Sequence, residues 1–182
     1  SGVMNHSNYR SNNFGFIPER IYLMNERGDV DIPFRFEAGD VYSYLSYRTL
    51  QRSIKGLQIE LQPDFGDDED RLHSISIISG TTQSSWTKLH VNEDYTNGLS
   101  WLIDDLSFGR WSLNWINNFR DNDINTGTID RTQNVFSLAG EKRIRLGSEQ
   151  ITMEGEVGQF SGDHDGLNGV ASGQNKNDTA LF

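Results

Sequence analysis

Apolar and polar residues alternate along much of the chain, most clearly in the stretch RWSLNWINNFRDND at residues 110–123. Trp111, Leu113, Trp115 and Phe119 fall on every second position, and Asn117 alone interrupts this set. A period of two is typical of a β-strand with one apolar and one polar face. The stretch therefore predicts a strand and leaves open what its apolar face contacts.

The same alternation predicts further strands on both sides of this stretch. They are RIYLMN, VDIPFRFEA, GLQIELQP, LHSISIIS, GLSWLIDD, NVFSLAGEKRI and ITMEGEVGQF. In the second half, the short turns LSFGR and RLGSEQ alternate with long polar loops. Strands of roughly 9–11 residues in this rhythm are typical of bacterial outer-membrane barrels. Helix is expected in at most one short piece within residues 42–56.

The domain organisation follows from where the alternation begins and ends. Residues 1–13 are polar and predict a flexible N-terminal arm. Residues 14–182 predict a single antiparallel β domain. The last stretch, NKNDTALF, lacks alternation and has Asp178 where an apolar residue is expected. We therefore expect the domain to be a fragment of a larger chain.

Two fold interpretations account for the apolar faces. The favoured one is an all-β antiparallel meander that forms an outer-membrane-type β-barrel or part of one, with apolar side chains toward lipid and Asn114 toward a wet lumen. The alternative is a soluble β-sandwich or jelly roll of seven to nine strands, with Trp111 and Trp115 in its core. In the barrel interpretation the lipid-facing surface and its aromatic girdle comprise Trp101, Trp111, Leu113, Trp115, Phe119, Phe136 and Phe160.

Composition and charge narrow the function classes. Only 35% of residues are hydrophobic and the mean hydropathy is -0.61, but a barrel exposes only half of each strand to lipid. The net charge of -10, without a basic cluster, argues against nucleic acid as a partner. The absence of cysteine excludes disulfides, thiol catalysis and cysteine metal sites.

Acidic loops are the candidates for metal binding. The loop at 121–130 has oxygen ligands at alternate positions, as calcium sites do. It departs from the EF-hand pattern because Thr126 stands where glycine is required, and no glutamate occupies the twelfth position. We interpret it as a solvated loop and predict neither a metal nor another cofactor.

No pattern of residues predicts catalysis. Glu154 and Glu156 share a strand face, roughly 7 Å apart, but no aromatic platform accompanies them, so they are interpreted as wall residues. His73, His90 and His164 are scattered, and no known catalytic motif is present. We therefore expect that the protein is not an enzyme.

A soluble extracellular domain that binds glycans, or acts as a surface interaction module, is the alternative function. Trp86 lies in the polar segment TTQSSWTKLH, which has no alternation. An exposed ring of this kind can stack on a sugar face. In this interpretation the protein is secreted or attached to the cell surface.

Residues 36–63, FEAGDVYSYLSYRTLQRSIKGLQIELQP, carry a resemblance to a known class of protein. The positions that carry it are Gly39-Asp40, Ser46, Thr49-Leu50 and Gly56. The segment resembles large export barrels of the outer membrane, including usher-like proteins. The resemblance implies a protein-lined pore, or part of one, that passes or anchors a polymer, and it implies no catalytic site.

The barrel interpretation and this resemblance lead to one expected function. The chain is expected to form the wall of a porin-like pore or of an export or anchoring channel in the bacterial outer membrane. Its expected partners are membrane lipid, other parts of a larger barrel or assembly, and an exported polymer or glycan.

Overall fold

The computed structural model describes residues 2–4, 18–46, 49–66, 70–82, 94–120, 131–163 and 175–181. Within these ranges the chain forms ten strands, and each pairs antiparallel with its neighbours in chain order. The strands are β1 Gly2–Met4, β2 Pro18–Arg27, β3 Phe34–Ser46, β4 Leu50–Leu61, β5 Arg71–Thr81, β6 Asp94–Asp105, β7 Gly109–Arg120, β8 Arg131–Leu146, β9 Glu149–Asp163 and β10 Asn175–Leu181. The predicted all-β antiparallel meander is confirmed.

Two local features of the structure differ from what the sequence pattern predicts. The strand predicted for VDIPFRFEA begins only at Phe34, because Pro33 has no N–H to donate to a ladder. The Pro33 carbonyl instead accepts a hydrogen bond from the Gln62 N–H at 2.9 Å. Gly2–Met4, inside the expected arm, forms the short strand β1 against β2.

The described residues of the region 42–56, all except 47 and 48, lie in strands or a turn and not in a helix. β3 runs through it to Ser46, and β4 begins at Leu50. In the described part of the chain, no helix is long and apolar enough to cross a membrane.

The connections between strands divide the sheet into two ends. At the turn end lie the connections 28–33, 62–70, 106–108 and 147–148. At the loop end lie 82–93, 121–130 and 164–174, together with the short β3–β4 connection. The predicted alternation of short turns with long loops is therefore present from β5 to β10.

The sheet curls toward one face, which we call the inner face. Ser46 of β3 hydrogen-bonds to Glu156 of β9 at 2.8 Å, although these strands lie six positions apart in the strand order. Gly39, Gly56 and Gly80 pair in one row across β3, β4 and β5. A Cβ added at Gly56 would lie 2.1 Å from the Ser79 carbonyl oxygen. Glycine is therefore required in this row, because the backbone of the neighbouring strand leaves no room for a side chain.

The buried apolar side chains lie on the inner face and contact one another across the curl. They are Val41, Leu45, Leu50, Ile54, Ile78 and Ile116. A Cβ added at Gly98 would be 3.2 Å from Leu45 Cδ1, so a glycine there lets β3 pack closely on β6. In the described ranges β1 and β10 do not pair with each other, so the sheet is open.

Candidate functional site

The opposite, outer face of the sheet carries two continuous rows of apolar residues. In each row every residue is the register partner of the next across adjacent strands. The first row is Phe36, Ile59, Ile77, Leu99, Trp115 and Phe136, and the second is Phe34, Leu61, Ile75, Trp101, Leu113, Leu138 and Val157. Many of these side chains are large and solvent-exposed, which is unusual for the surface of a soluble monomer.

Most residues predicted to face lipid lie on this outer face. Leu113 is 53% exposed and Phe136 is 56% exposed, and Trp101 and Trp111 are also exposed. The Trp111 ring lies against Gly140, where a Cβ would be 2.7 Å from the ring. In the described part of the chain, Trp111 therefore lies on the exposed outer face and not in a core.

The remaining predicted aromatics are half-buried, and one lies on the other face. Trp115 packs against Phe136, with ring centroids 6.4 Å apart. Phe119 stacks on Tyr95 at 5.1 Å. Phe160 shares the inner face with Glu156, because two-residue steps along β9 connect them, and it is not part of the apolar outer surface.

A row of uncharged polar residues borders the apolar rows on the side of the loop end. It consists of Ser79, Asn97, Asn117, Asn134 and Ser161, which are register partners across β5 to β9. Sequence reasoning did not single out this row. Its one visible signal was Asn117, which interrupts the apolar set of residues 110–123.

The inner face holds a hydrogen-bond network that runs between strands distant in sequence. Asn114 accepts a hydrogen bond from Ser100 Oγ at 2.7 Å and donates to Ser137 Oγ at 3.2 Å. Thr49 contacts Ser137 Oγ at 2.5 Å and donates to Glu156 Oε1 at 2.9 Å. The network thus fastens the β3–β4 connection onto β8 and β9.

This network changes the interpretation of Asn114. The sequence placed its side chain in a wet lumen, where a large substitution would be mild. The structure places it on the inner face but only 3% exposed, with three serine partners. The placement in a wet lumen is therefore corrected, and because a buried amide that loses such partners is costly, we now expect a large substitution at Asn114 to destabilise the protein.

A cavity of about 380 Å³ remains on the inner face near the turn end. Arg110, Glu141, Glu154 and Glu156 line it, together with apolar side chains that include Leu102. Glu154 and Glu156 were predicted to be wall residues, and both face this space. Within the described ranges no group of three or more histidine or carboxylate side chains is arranged to hold a metal ion.

Asp105 organises the turn between β6 and β7. Its Oδ1 accepts hydrogen bonds from the Ser107 hydroxyl and the Ser107 N–H, both at 2.7 Å, and from the Phe108 N–H at 3.1 Å. Arg71 donates to Oδ2 at 3.1 Å and lies over the Phe108 ring. These donors, led by the Ser107 hydroxyl, lower the pKa of Asp105 from 3.8 to about 2.

The lowered pKa of Asp105 predicts a loss of stability in acid. Because the folded pKa lies below the unfolded one, the contribution of the carboxylate is present above about pH 4 and is lost as the pH falls toward 2. Denaturant unfolding at several pH values should show a shallower decline for Asp105→Asn than for the wild type. Ser107→Ala should give an intermediate slope, and identical slopes for all three chains would contradict this role.

Several predicted residues lie outside the described ranges: Trp86, His90, His164 and the whole loop at 121–130. His73 is buried on the outer face, between the edge of Phe65 and the stacked ring of Trp101. Its Nδ1 accepts a hydrogen bond from Trp101 Nε1 at 3.3 Å, which gives it a packing role.

Comparison with protein-family models, curated proteins and solved structures gives no match for this chain. Any function must therefore be inferred from the residues and their arrangement.

Proposed function

We propose that this chain forms part of the wall of an outer-membrane β-barrel and anchors a larger assembly in that membrane. The observation that carries the proposal is the distribution of polarity between the two faces. Apolar rows cover the outer face from β3 to β9, whereas buried serine, asparagine and glutamate side chains lie on the inner face. Membrane barrels distribute polarity in this way, with apolar residues toward lipid.

The geometry of the strands supports the same proposal. β3 to β9 are 11 to 16 residues long, enough for a tilted strand to cross the hydrocarbon core. Exposed apolar side chains reach Tyr44 near the loop end of β3, but reach Ile151 near the turn end of β9. The exposed apolar surface therefore extends beyond the two register rows in opposite directions on β3 and β9, which agrees with the tilt of barrel strands.

The side chains that fill the inner face favour a role as a membrane anchor over a role as an aqueous pore. Six apolar side chains and the network around Asn114 occupy the inside of the curl. The sheet has ten strands in the described ranges, which is closer to the roughly eight strands of barrels with filled interiors than to the roughly 16 of open porin channels. A continuous aqueous passage would have to lie elsewhere in the assembly.

A soluble sandwich would need a second layer over the apolar rows. All ten strands in the described ranges belong to one sheet, so that layer would have to come from residues outside them or from a partner. The glycan-binding alternative depended on Trp86, which lies outside those ranges. The exposed outer face therefore favours the membrane proposal.

Cysteine labelling in vesicles tests the proposal, and the chain has no native cysteine to interfere. In Leu113→Cys, the thiol should be shielded from water-soluble reagents and its fluorophore quenched by a lipid-resident probe. Leu106→Cys is the matched control, because Leu106 is 84% exposed in the β6–β7 turn and should react from water. A chain that is monodisperse without detergent, and reacts equally at both positions, would contradict the membrane proposal.

A further inference from the structure

The polar row on the outer face has aromatic side chains on both sides. Asn97, Asn117 and Asn134 are its central residues, on three adjacent strands. Two positions closer to the loop end, Tyr95 and Phe119 stack at 5.1 Å. Two positions closer to the turn end, Trp115 and Phe136 pack at 6.4 Å. We call these three asparagines and four rings the amide–aromatic cluster.

The three amides keep hydrogen-bonding capacity for a ligand. Asn117 Nδ2 donates to Asn134 Oδ1 at 2.8 Å, and Asn97 Oδ1 accepts from Ser79 Oγ at 2.8 Å. In the part of the chain that the structure describes, Asn97 Nδ2, Asn117 Oδ1 and Asn134 Nδ2 have no protein partner. All three side chains are partly exposed, so both donors and an acceptor are accessible from outside the sheet.

From this geometry we infer that the amide–aromatic cluster binds the uncharged sugar headgroup of a glycolipid. Sugar hydroxyls both donate and accept hydrogen bonds, as the free amide atoms require, and the C–H faces of a sugar pack on aromatic rings. The amide row contains no charged residue, which disfavours phosphate as the group recognised. Three adjacent strands span about 10 Å, a width suited to a disaccharide.

The surroundings of the cluster indicate a lipid-linked sugar rather than a free one. The first apolar row, which contains Trp115, adjoins the amides on the side of the turn end. The second row, which contains Leu113, lies one step further toward the turn end. A sugar on the amides would therefore place attached acyl chains along an exposed apolar surface. The amides lie between this surface and the loop end, which faces outward in barrels of this type. The inference rests on the proposed membrane function and names a ligand class for the same face.

Lipid retention in detergent micelles tests the inference. The whole chain is mixed with equimolar digalactosyldiacylglycerol and phosphatidylcholine that have identical acyl chains, and native mass spectrometry counts the retained lipids. The wild type should retain the galactolipid preferentially. The double variant Asn97→Leu/Asn117→Leu removes hydrogen bonds to the sugar but remains apolar, and should lower the preference by on the order of tenfold.

Control variants separate a binding defect from a folding defect. Asn25→Leu changes an exposed amide on the outer face of β2, four strands from the cluster, and should leave the preference unchanged. If the double variant does not fold, Phe119→Leu provides a second test, because it removes a ring and leaves the amides in place. It should weaken galactolipid retention while phosphatidylcholine retention stays constant.

The other possible results of these experiments would overturn either the glycolipid site or the membrane proposal. Equal retention of the two lipids by the wild type, or an unchanged preference in the folded double variant, would overturn the glycolipid site while leaving the membrane proposal intact. A chain that is monodisperse without detergent would overturn the membrane proposal itself. If such a detergent-free chain bound free digalactose through Asn117, the ligand would be a soluble glycan and not a glycolipid.

Discussion

Leu113→Arg is expected to lower the free energy of unfolding in lipid vesicles by about 2–4 kcal/mol, because it places a charge at mid-strand on the apolar outer face. Leu113 is 53% exposed and lies between Trp101 and Leu138 in the second apolar row. Denaturant-induced unfolding in vesicles, followed by tryptophan emission, measures the change.

The size of this effect distinguishes lipid from water at the outer face. An exposed position on a soluble surface usually tolerates substitution within about 0.5 kcal/mol. Leu106→Arg is the control, since Leu106 lies in a turn and should tolerate the charge in either environment. A near-neutral Leu113→Arg in a folded chain would mean that the outer face meets water.

Ile116→Ala should destabilise the protein by about 2–5 kcal/mol, because it leaves a cavity in the packed interior of the curled sheet. Ile116 is 0% exposed, and Gly98, its register partner, lets Leu45 reach the same space. The cost should be similar in detergent and in vesicles, since the residue contacts protein in both. Equilibrium unfolding in each medium measures it.

Ile77→Ala is the matched control on the outer face of β5. Ile77 is 42% exposed, so its truncation should cost less because no cavity forms among protein atoms. A loss below about 1 kcal/mol for Ile116→Ala would mean that water fills the interior. That result would favour an open pore over the anchoring role.

Together the two substitutions separate the faces of one strand. Leu113 and Ile116 are three residues apart on β7 and therefore point to opposite faces. The effect of Leu113→Arg depends on the medium outside the sheet, whereas that of Ile116→Ala depends on packing inside it. A soluble sandwich with a covered outer face would instead be sensitive to both in plain buffer.

The sequence by itself determined the all-β class, most strand positions, the turns at 106–108 and 147–148, and the face on which Leu113 lies. These properties are local, because side-chain alternation and turn chemistry depend on residues close in sequence. Register across strands is not local. Only the tertiary structure joined Asn97, Asn117 and Asn134 into one row and brought Thr49 to Glu156, 107 residues away. It also placed Phe160 on the inner face and buried Asn114 among serines. Long-range pairing and the curl of the sheet decide those contacts, and no short pattern of residues contains that information.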